Sequence, residues 1–408
     1  MTSPFKIGLD FLRLGCTSFG GPVAHLGYLR DAFVTRRRWL DDAAYADLVA
    51  LCQFLPGPTS SQVVFGLGLR RGGLRGACLA SLGFTLPSAV LMTLFAYGVA
   101  SLGALEGAAW LQGLKLAAAA VVAHAVLQMA LRLCRDGLRI AVALGTAGLV
   151  LAAPMLLPAD AAPQAGALVQ LGALLLAGAI GATRYRAEAQ RAAAAMSPAP
   201  PARGHHAAVG ALLLGGALLI VLPWIAAATG SRDAQLCAGF YRSGALIFGG
   251  GHVMLPLLYT EVVPPGLLDD ATFLAGYGAA QAIPGPLSTF AAYLGAAIDL
   301  RAGGSAPWAV AALATVAIFL PSWLLVGGAW PFWSALQRRV TVRAALFGTN
   351  AAVVGLLGAA LVRPVCAEAL HGPPDVALAL GGFALLQLAR APAWLVVIAL
   401  GLASEALA

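Results

Sequence analysis

The chain has 408 residues, of which 60% are hydrophobic and only 10% are charged. A soluble domain carries roughly 25% charged residues, so lipid rather than water must cover most of this surface. The net charge of +8 comes from 25 Lys and Arg against 17 Asp and Glu. Because the basic residues lie in short loops between apolar segments, they are typical of cytoplasmic membrane loops, and we expect no nucleic-acid binding.

Apolar segments follow one another along the chain, and we predict about thirteen of them. Six lie in the first half, near 5–34, 42–69, 76–99, 108–130, 140–157 and 164–182. Seven lie in the second half, near 207–227, 236–259, 271–298, 308–330, 344–362, 375–388 and 392–406. Most approach the ~20 residues that a membrane-spanning helix needs, so we predict an all-α integral membrane protein.

A polar stretch over 183–206 separates the two halves. It is rich in Ala, Pro and Arg and contains the run PAPP at 198–201, which is typical of a solvated linker. We therefore predict an N-terminal repeat over 1–182, a cytoplasmic linker over 183–206 and a C-terminal repeat over 207–408. The core of the second repeat is 235–362, and one extra helix leads it.

An internal repeat relates the two halves, because five short motifs recur in the same order. The pairs are FLRLG at 11–15 and FYRSG at 240–244, FGG at 19–21 and 248–250, LDD at 40–42 and 268–270, QFLPGPTS at 53–60 and QAIPGPLS at 281–288, and LPS at 86–88 and 320–322. Seven predicted segments separate the two copies. If each segment crosses the bilayer once, the second half is inverted relative to the first.

The arginine clusters predict that the N-terminus and the linker are cytoplasmic and the C-terminus is periplasmic. The exception is Arg36–Arg38, which full crossings would place outside. Segments 5–34 and 42–69 are each interrupted by Gly and Pro, which leaves apolar pieces of ~10–14 residues, too short to span comfortably. We favour re-entrant segments that return to the cytoplasmic side. Broken helices that span the bilayer are the alternative.

Gly and Pro break the apolar segments at four places, 20–22, 56–58, 249–251 and 284–286. Non-helical backbone at membrane depth is tolerated where it packs in protein or lines a polar cavity. Each break opens a half-helix whose first amides are unpaired and whose dipole is positive. Converging half-helices of this kind predict an anion site near the middle of the bilayer. Close packing or simple kinks are the alternative interpretation.

The candidate anion ligands lie at or beside these breaks. The glycines are Gly20, Gly21, Gly57, Gly249, Gly250, Gly251 and Gly285; the hydroxyls are Ser18, Thr59, Ser60, Ser61, Ser288 and Thr289; the remaining polar side chains are Arg13, Arg242, Gln53, Gln281, His25 and His252. The hydroxyls could instead cap helices, the arginines could extend to an interface, and the glutamines could satisfy the broken backbone. Each histidine could take a coupling proton or serve a structural role.

No nucleophile–His–carboxylate order, phosphate-binding loop, haem motif or metal-ligand spacing occurs, and the six cysteines are scattered. We therefore predict that the chain is not an enzyme and needs neither a cofactor nor a metal. Acidic residues are nearly absent from the segment centres, which argues against a cation carrier.

The chain resembles the chromate transporter family in its long, two-domain form. The motifs that carry the resemblance are SFGGP at 18–22 with His25, RRRWL at 36–40, CQFLPGP at 52–58, FGGG at 248–251 and PGP at 284–286. The resemblance implies a carrier in the bacterial inner membrane that exports chromate and so confers chromate resistance. It also implies importance for Gly20, Gly21, Pro56, Gly57, Pro58, Gly249, Gly250, Pro284, Gly285 and Pro286. Gly251 stands where the first half has Pro22, so the two halves need not be equivalent.

The expected partners follow from this resemblance and from the composition. They are chromate or a similar oxyanion, the lipid bilayer, protons as a candidate coupling ion and a second copy of the chain as a candidate dimer partner. A carrier of sulfate or another oxyanion is the first alternative, and an anion channel is the second.

Overall fold

The computed structural model describes residues 4–101, 109–156, 162–194, 205–248, 251–333 and 339–407, which form helices and turns without a strand among them. The first half contains α1 Pro4–Thr17, α2 Gly21–Arg30, α3 Asp42–Phe54, α4 Thr59–Ser101, α5 Ala109–Leu133, α6 Gly137–Leu156 and α7 Ala162–Arg184. The second half contains α8 Arg186–Ala194, α9 His205–Thr229, α10 Arg232–Ala245, α11 Met254–Val262, α12 Asp270–Ala282, α13 Phe290–Arg301, α14 Pro307–Ala329, α15 Val340–Ala360, α16 Pro373–Gln387 and α17 Ala393–Leu407.

Short helical turns of other types extend several of these helices. A π-helical turn, Asp31–Arg36, continues α2, and a second one, Leu361–Cys366, follows α15. Turns of 3-10 helix, Gly251–Val253 and Leu287–Thr289, precede α11 and α13. The interrupted helices therefore restart through tight turns rather than through long loops.

Five helical stretches among the described residues are long and apolar enough to cross a membrane: Thr59–Ser101, Ala109–Leu133, His206–Thr229, Pro307–Phe332 and Val340–Ala369. Shorter apolar helices cover Gly137–Ala153, Leu168–Arg184 and Ala393–Leu407. The prediction of an all-helical chain with the character of a membrane protein is confirmed at this level. The number of crossings stays a prediction.

The chain reverses direction between α1 and α2. The ring of Phe33 stacks on that of Phe11 with their centroids 4.6 Å apart, and an Arg37 guanidinium nitrogen lies 2.7 Å from an Asp10 carboxylate oxygen. Residues that follow α2 therefore lie beside the middle of α1. The turn at the tip contains Gly20 and Gly21, whose φ angles of 96° and 77° belong to the left-handed region that favours glycine.

A second reversal joins α3 to α4. Leu48 of α3 packs against Gly66 of α4, and the Arg71 guanidinium lies 5.3 Å above the ring centroid of Trp39. The 43 residues of α4 contain a kink at Gly72 and Gly73, whose backbone angles are not helical. Gly68 packs against Gly76 and Ala80, so the chain reverses at this point. The helix is thus two helices, one that runs from the second break to Arg71 and one that runs back from Leu74 to Ser101.

The second part of α4, after Gly73, packs closely on α1. A Cβ atom on Gly83 would lie 2.4 Å from the carbonyl oxygen of Gly8, so only glycine permits this approach of the two backbones. Small residues commonly allow such contact between membrane helices. In the second half α10 packs on α14 in the same manner, where a Cβ atom on Gly244 would lie 2.1 Å from the Ile318 carbonyl oxygen.

The second half also reverses twice. Arg242 of α10 contacts Glu261 of α11, and Tyr293 of α13 packs against Gly276 of α12. The rings of Tyr97 and Trp308 lie 6.2 Å apart, near the end of α4 that is distant from Arg71. The turn between α13 and α14 therefore lies at the opposite end of the second part of α4 from the reversal at Gly72 and Gly73.

Part of the predicted linker is helical and attached to the helices around it. In α8, Glu188 accepts a 2.5 Å hydrogen bond from Arg139 of α6, whose guanidinium lies 4.3 Å above the ring of Tyr185. Arg139 is buried, so this contact fixes the start of the linker to the helix bundle. Residues 195–204 lie outside the described part of the chain.

Candidate anion-binding site

The breaks meet in two pairs that cross between the halves. The Gly57 amide donates a 2.6 Å hydrogen bond to the Ile247 carbonyl, and the Gly285 amide donates a 2.9 Å hydrogen bond to the Ser18 carbonyl. Gly57 and Gly285 are repeat partners (285 − 57 = 228), and Ser18 and Ile247 are repeat partners as well (247 − 18 = 229). The two bonds therefore join equivalent residues of the repeat and run in opposite directions between the halves.

Each Pro-Gly-Pro turn also packs against a serine of the other half. The φ angles of Gly57 and Gly285 are 131° and 108°, a region that L side chains rarely adopt. A Cβ atom on Gly57 would lie 2.2 Å from the Ser322 hydroxyl, and one on Gly285 would lie 2.6 Å from the Ser88 hydroxyl. The two serines belong to the matched LPS motifs, so this contact also obeys the repeat.

The amides of Gly57 and Gly285 therefore join the halves and are not the open anion donors that we expected from the broken helices. The first turn of α4 provides other donors. Its Gln62 amide bonds the Pro58 carbonyl at 3.0 Å, so the amides of the three residues before Gln62 have no acceptor within their own helix. Ahead of α13, the Thr289 amide donates to the Pro286 carbonyl at 3.0 Å, within the 3-10 turn Leu287–Thr289.

Three buried hydroxyls near these helix starts have no hydrogen-bond partner. Ser61, Ser288 and Ser322 are exposed by 3%, 1% and 0%, and none of their oxygens is bonded. A buried hydroxyl that makes no hydrogen bond costs roughly 1–3 kcal/mol. A tetrahedral oxyanion would accept hydrogen bonds from such groups, and the positive ends of the nearby helices would favour its charge.

The other predicted hydroxyls are used differently. Ser60 lies 3.4 Å from a ring nitrogen of His25, whereas its repeat partner Ser288 has no such neighbour. Thr289 donates to the Pro286 carbonyl at 2.8 Å and so caps its own turn. Thr59 is partly buried at the first position of α4. Ser60 and Ser288 therefore occupy matched positions in unequal surroundings.

His25 connects three of the breaks. Its Nε2 atom lies 3.1 Å from the Ser18 carbonyl oxygen, which also accepts from Gly285, and its Nδ1 atom faces Ser60. A carbonyl oxygen can only accept, so in this contact Nε2 carries the proton and a neutral ring offers Nδ1 as an acceptor to the Ser60 hydroxyl. The ring is 1% exposed and meets the edge of Phe84.

The matched arginines do not converge on the hydroxyls. Arg242 makes two hydrogen bonds to Glu261, of 2.9 and 2.7 Å, so its charge is already balanced. Arg13 is exposed on α1, where Thr17 bonds only its backbone carbonyl. The internal repeat could not predict the ion pair of Arg242 with Glu261, because the first half has Ala32 at the position that matches Glu261 (261 − 229 = 32).

The remaining predicted residues are distributed around the breaks. Gln53 is exposed, whereas Gln281 is half-buried and its side-chain nitrogen has no partner. The His252 ring bonds the Tyr277 hydroxyl at 3.0 Å. Gly251 begins the turn that leads into α11, while Gly249 and Gly250 lie outside the described residues.

Sequence reasoning missed several polar residues near the breaks. Gln62 is completely buried; its Nε2 atom bonds the Pro56 carbonyl at 2.7 Å and its Oε1 atom has no partner. Ser88 and Ser322 stood in a matched motif, and that recurrence was the signal that could have identified them. A cleft of about 510 Å³ beside Pro4 and Arg75 lies at the N-terminal end of α1, away from the breaks, so we assign the site from the hydrogen bonding at the breaks and not from this cleft.

Comparison with known proteins decides the family. The chromate transporter family model matches residues 5–184 and 234–404. The chain belongs to the chromate transporter family. A chromate transport protein of Pseudomonas aeruginosa is 31% identical over 357 residues, which cover 86% of this chain and 79% of that protein. A chromate transport protein of Cupriavidus metallidurans is 27% identical over 386 residues, which cover 93% and 87% of the two chains. No solved structure matches significantly.

Membership of the chromate transporter family confirms the resemblance found in the motifs, and members of this family are transporters rather than enzymes. The family model matches in two regions, which leaves residues 185–233 with α8 and α9 between them. An uncharacterized transporter of Methanocaldococcus jannaschii is 25% identical over 365 residues. The similarity therefore extends to relatives that are not described as chromate transport proteins.

Proposed function

We propose that this chromate transporter family member carries chromate, a tetrahedral dianion, from the cytoplasm across the bacterial inner membrane and so confers resistance. The observation that carries the proposal is the group of partnerless hydroxyls, Ser61, Ser288 and Ser322, beside the crossed breaks. Relatives described as chromate transport proteins support the substrate.

Hydroxyls and helix amides suit an anion that must be released again. They bind an oxyanion through oriented dipoles, which act strongly in a poorly hydrated interior. Arg242 is neutralised by Glu261, so it contributes little net charge to this site. A carrier gains from such moderate binding, because a fixed unpaired cation beside a dianion would slow its release.

We further propose that the halves are inverted in the membrane and that the segments around the breaks are re-entrant. The contacts of Phe33 with Phe11 and of Arg37 with Asp10 support a return of the first segment to its side of entry. The contact of Tyr97 with Trp308 supports opposite directions for the two halves. This arrangement puts Arg36–Arg38 on the cytoplasmic side together with the N-terminus and the linker, and the C-terminus on the periplasmic side.

Alternating access would then consist of rocking between the halves about the crossed breaks. In the present conformation both Pro-Gly-Pro turns are closed on serines of the opposite half. If the contact of Gly57 with Ile247 and the contact of Gly285 with Ser18 open one at a time, the hydroxyls become exposed to one side of the membrane at a time. An inside-negative potential favours export, by about 2.3 kcal/mol per charge for 100 mV and thus about 4.6 kcal/mol for a dianion.

Sulfate is the second candidate substrate, because hydroxyl and amide donors recognise the shape and charge that sulfate shares with chromate. The test is tracer counterflow in proteoliposomes preloaded with chromate. We expect saturable uptake of labelled chromate that unlabelled chromate suppresses. Stronger suppression by sulfate would make sulfate the substrate, unitary currents in planar bilayers would indicate a channel, and absence of counterflow and current would refute anion transport.

A further inference from the structure

One face of α1 is polar along most of its length. The residues that form this polar face are spaced by four, three and four positions, which places them on one side of a helix; they are Lys6, Asp10, Arg13 and Thr17. Lys6, Arg13 and Thr17 are exposed, whereas Asp10 is buried. The polar face ends at the first break, because Ser18 follows Thr17 directly. A polar surface therefore leads from the N-terminal end of α1 to the candidate anion site.

The other faces of α1 are apolar. Ile7 and Phe11 are completely buried in the core, and Phe5 and Leu9 are exposed apolar side chains. A charged side chain that faces lipid within a membrane is costly, whereas an apolar one is not. Lipid thus suits the side of α1 that contains Phe5 and Leu9, and water suits the polar face.

The polar face has an excess of positive charge. Arg37 lies 2.7 Å from Asp10 and so balances its carboxylate. No carboxylate among the described residues pairs with Lys6 or Arg13. Two of the three cations therefore lack a counter-charge, and Arg13, one helical turn before Thr17, is the nearer of the two to the break. A surface with such an excess attracts anions and raises their local concentration.

The corresponding face of the second half has no net charge. The residues that stand 229 positions later (for example 242 − 229 = 13) are Gln235, Gly239, Arg242 and Leu246. Glu261 packs against Gly239 and balances Arg242 through two hydrogen bonds. The arginine is present in both halves, but only the first half leaves it unpaired. In the inverted arrangement, this difference distinguishes the cytoplasmic from the periplasmic approach to the breaks.

From this asymmetry, and resting on the proposed function, we infer that the polar face of α1 lines an aqueous path from the cytoplasm to the anion site, and that Arg13 attracts the oxyanion into it. Arg13 stands five residues before Ser18, more than one helical turn, so its charge attracts the anion without holding it at the hydroxyls. The charge raises the rate of capture from the cytoplasm, whereas the membrane potential drives net export. Capture from the cytoplasmic side is the first step that an exporter needs.

The experiment measures the electrostatic potential beside Arg13 in the full chain. In a background without the six native cysteines, Thr17→Cys is exposed in inside-out membrane vesicles to two membrane-impermeant methanethiosulfonates, one anionic and one cationic. Each rate is divided by the rate of the same reagent with a free thiol in solution. The ratio of the two normalised rates does not depend on ionisation of the thiol, because the same thiolate attacks both reagents. We expect the anionic reagent to be favoured.

Replacement of Arg13 tests its part in this potential. A unit charge roughly 8 Å away in a watery path changes the two rates in opposite directions, so Arg13→Gln should lower the ratio roughly fivefold at low ionic strength. Arg13→Lys keeps the charge and should keep the ratio. Leu9→Cys, on the lipid side of α1, is the control and should react with neither reagent. An unreactive Thr17→Cys would refute the aqueous path, and a ratio that Arg13→Gln leaves unchanged would refute the role of Arg13.

Chromate uptake into inside-out vesicles gives a second readout. Arg13→Gln should lower kcat/KM roughly fivefold at low ionic strength, and the loss should shrink as potassium gluconate is added, because salt screens a charge that acts at a distance. A loss that salt does not change would make Arg13 a direct ligand and overturn its role in capture. Absence of chromate transport by the unmodified protein would refute the proposed function, and the reactivity of Thr17→Cys would still decide whether the path exists.

Discussion

Gly285 donates its backbone amide to the carbonyl of Ser18, and these two residues come from opposite halves of the chain. Their repeat partners, Gly57 and Ile247, make the same bond in the opposite direction. The pair of bonds brings together four interruptions that are far apart in sequence. The proposed anion site depends on these two bonds between the halves, because they bring the four breaks together.

Replacement of Gly285 by Ala should destabilise the protein. Its φ of 108° disfavours any L side chain, and the new methyl group would lie 2.6 Å from the Ser88 hydroxyl. The left-handed conformation alone costs an alanine roughly 1–2 kcal/mol, and the clash adds to this cost. Thermal unfolding in detergent measures the effect. Gly358→Ala is the matched control, because a Cβ atom there meets nothing within 4 Å. Equal unfolding midpoints for both variants would contradict the close contact of the Gly285 turn with the other half.

Removal of the Ser322 hydroxyl should weaken chromate binding without loss of stability. The hydroxyl has no partner, so Ser322→Ala removes no hydrogen bond of the protein and leaves the fold equally stable or slightly more so. Loss of one hydrogen bond to the anion, about 1–1.5 kcal/mol, should raise the dissociation constant roughly five- to tenfold. Ser404→Ala removes another buried, partnerless hydroxyl on α17 and is the control. The same affinity in all three proteins would exclude Ser322 from the site.

Arg242→Ala should reduce stability more than affinity, because it leaves the largely buried carboxylate of Glu261 without its partner. Removal of one member of a buried ion pair is more harmful than removal of both. The double variant Arg242→Ala with Glu261→Ala should therefore recover part of the lost unfolding midpoint. Chromate affinity should remain within about threefold of the unmodified protein, a difference of under ~1 kcal/mol. A tenfold loss of affinity with unchanged stability would return Arg242 to the anion site.

Single cysteines should be labelled from opposite sides of the membrane in the two halves. In a background without the six native cysteines, Arg36→Cys should react with a membrane-impermeant maleimide from the cytoplasmic side only, because this side chain is 75% exposed. Gly303→Cys, in the turn between α13 and α14, should react only from the periplasmic side. Labelling of both from one side would rule out the inverted arrangement.

Much of this fold could be predicted from the sequence, because Gly and Pro within apolar segments mark interruptions directly. The repeat then identified the equivalent interruptions, including Gly57 and Gly285. The direction of the chain after each break could not be predicted, since a piece of 10–14 apolar residues fits both a returning and a spanning segment. The contact of Arg37 with Asp10 supports a returning segment, and it depends on packing between α1 and the turn after α2.

The candidate site was predictable in its location but not in its donors. Helix ends have free amides as a rule, yet Gly57 and Gly285 satisfy theirs through carbonyls of the opposite half. Partners of this kind depend on how the halves pack, which no local pattern encodes. Ser322 illustrates the same limit, because an LPS motif within an apolar helix gives no indication that its hydroxyl faces a turn more than 250 residues away in sequence (322 − 57 = 265).

The position of bound chromate tests the account most directly. Chromium scatters anomalously, so an anomalous difference map from crystals grown with chromate would show where the anion binds. We predict a chromium peak beside the crossed breaks, with chromate oxygens about 2.5–3.0 Å from the hydroxyls of Ser288 and Ser322. A peak beside Arg13, or in the cleft lined by Pro4 and Arg75, with none at the breaks, would contradict the proposed site.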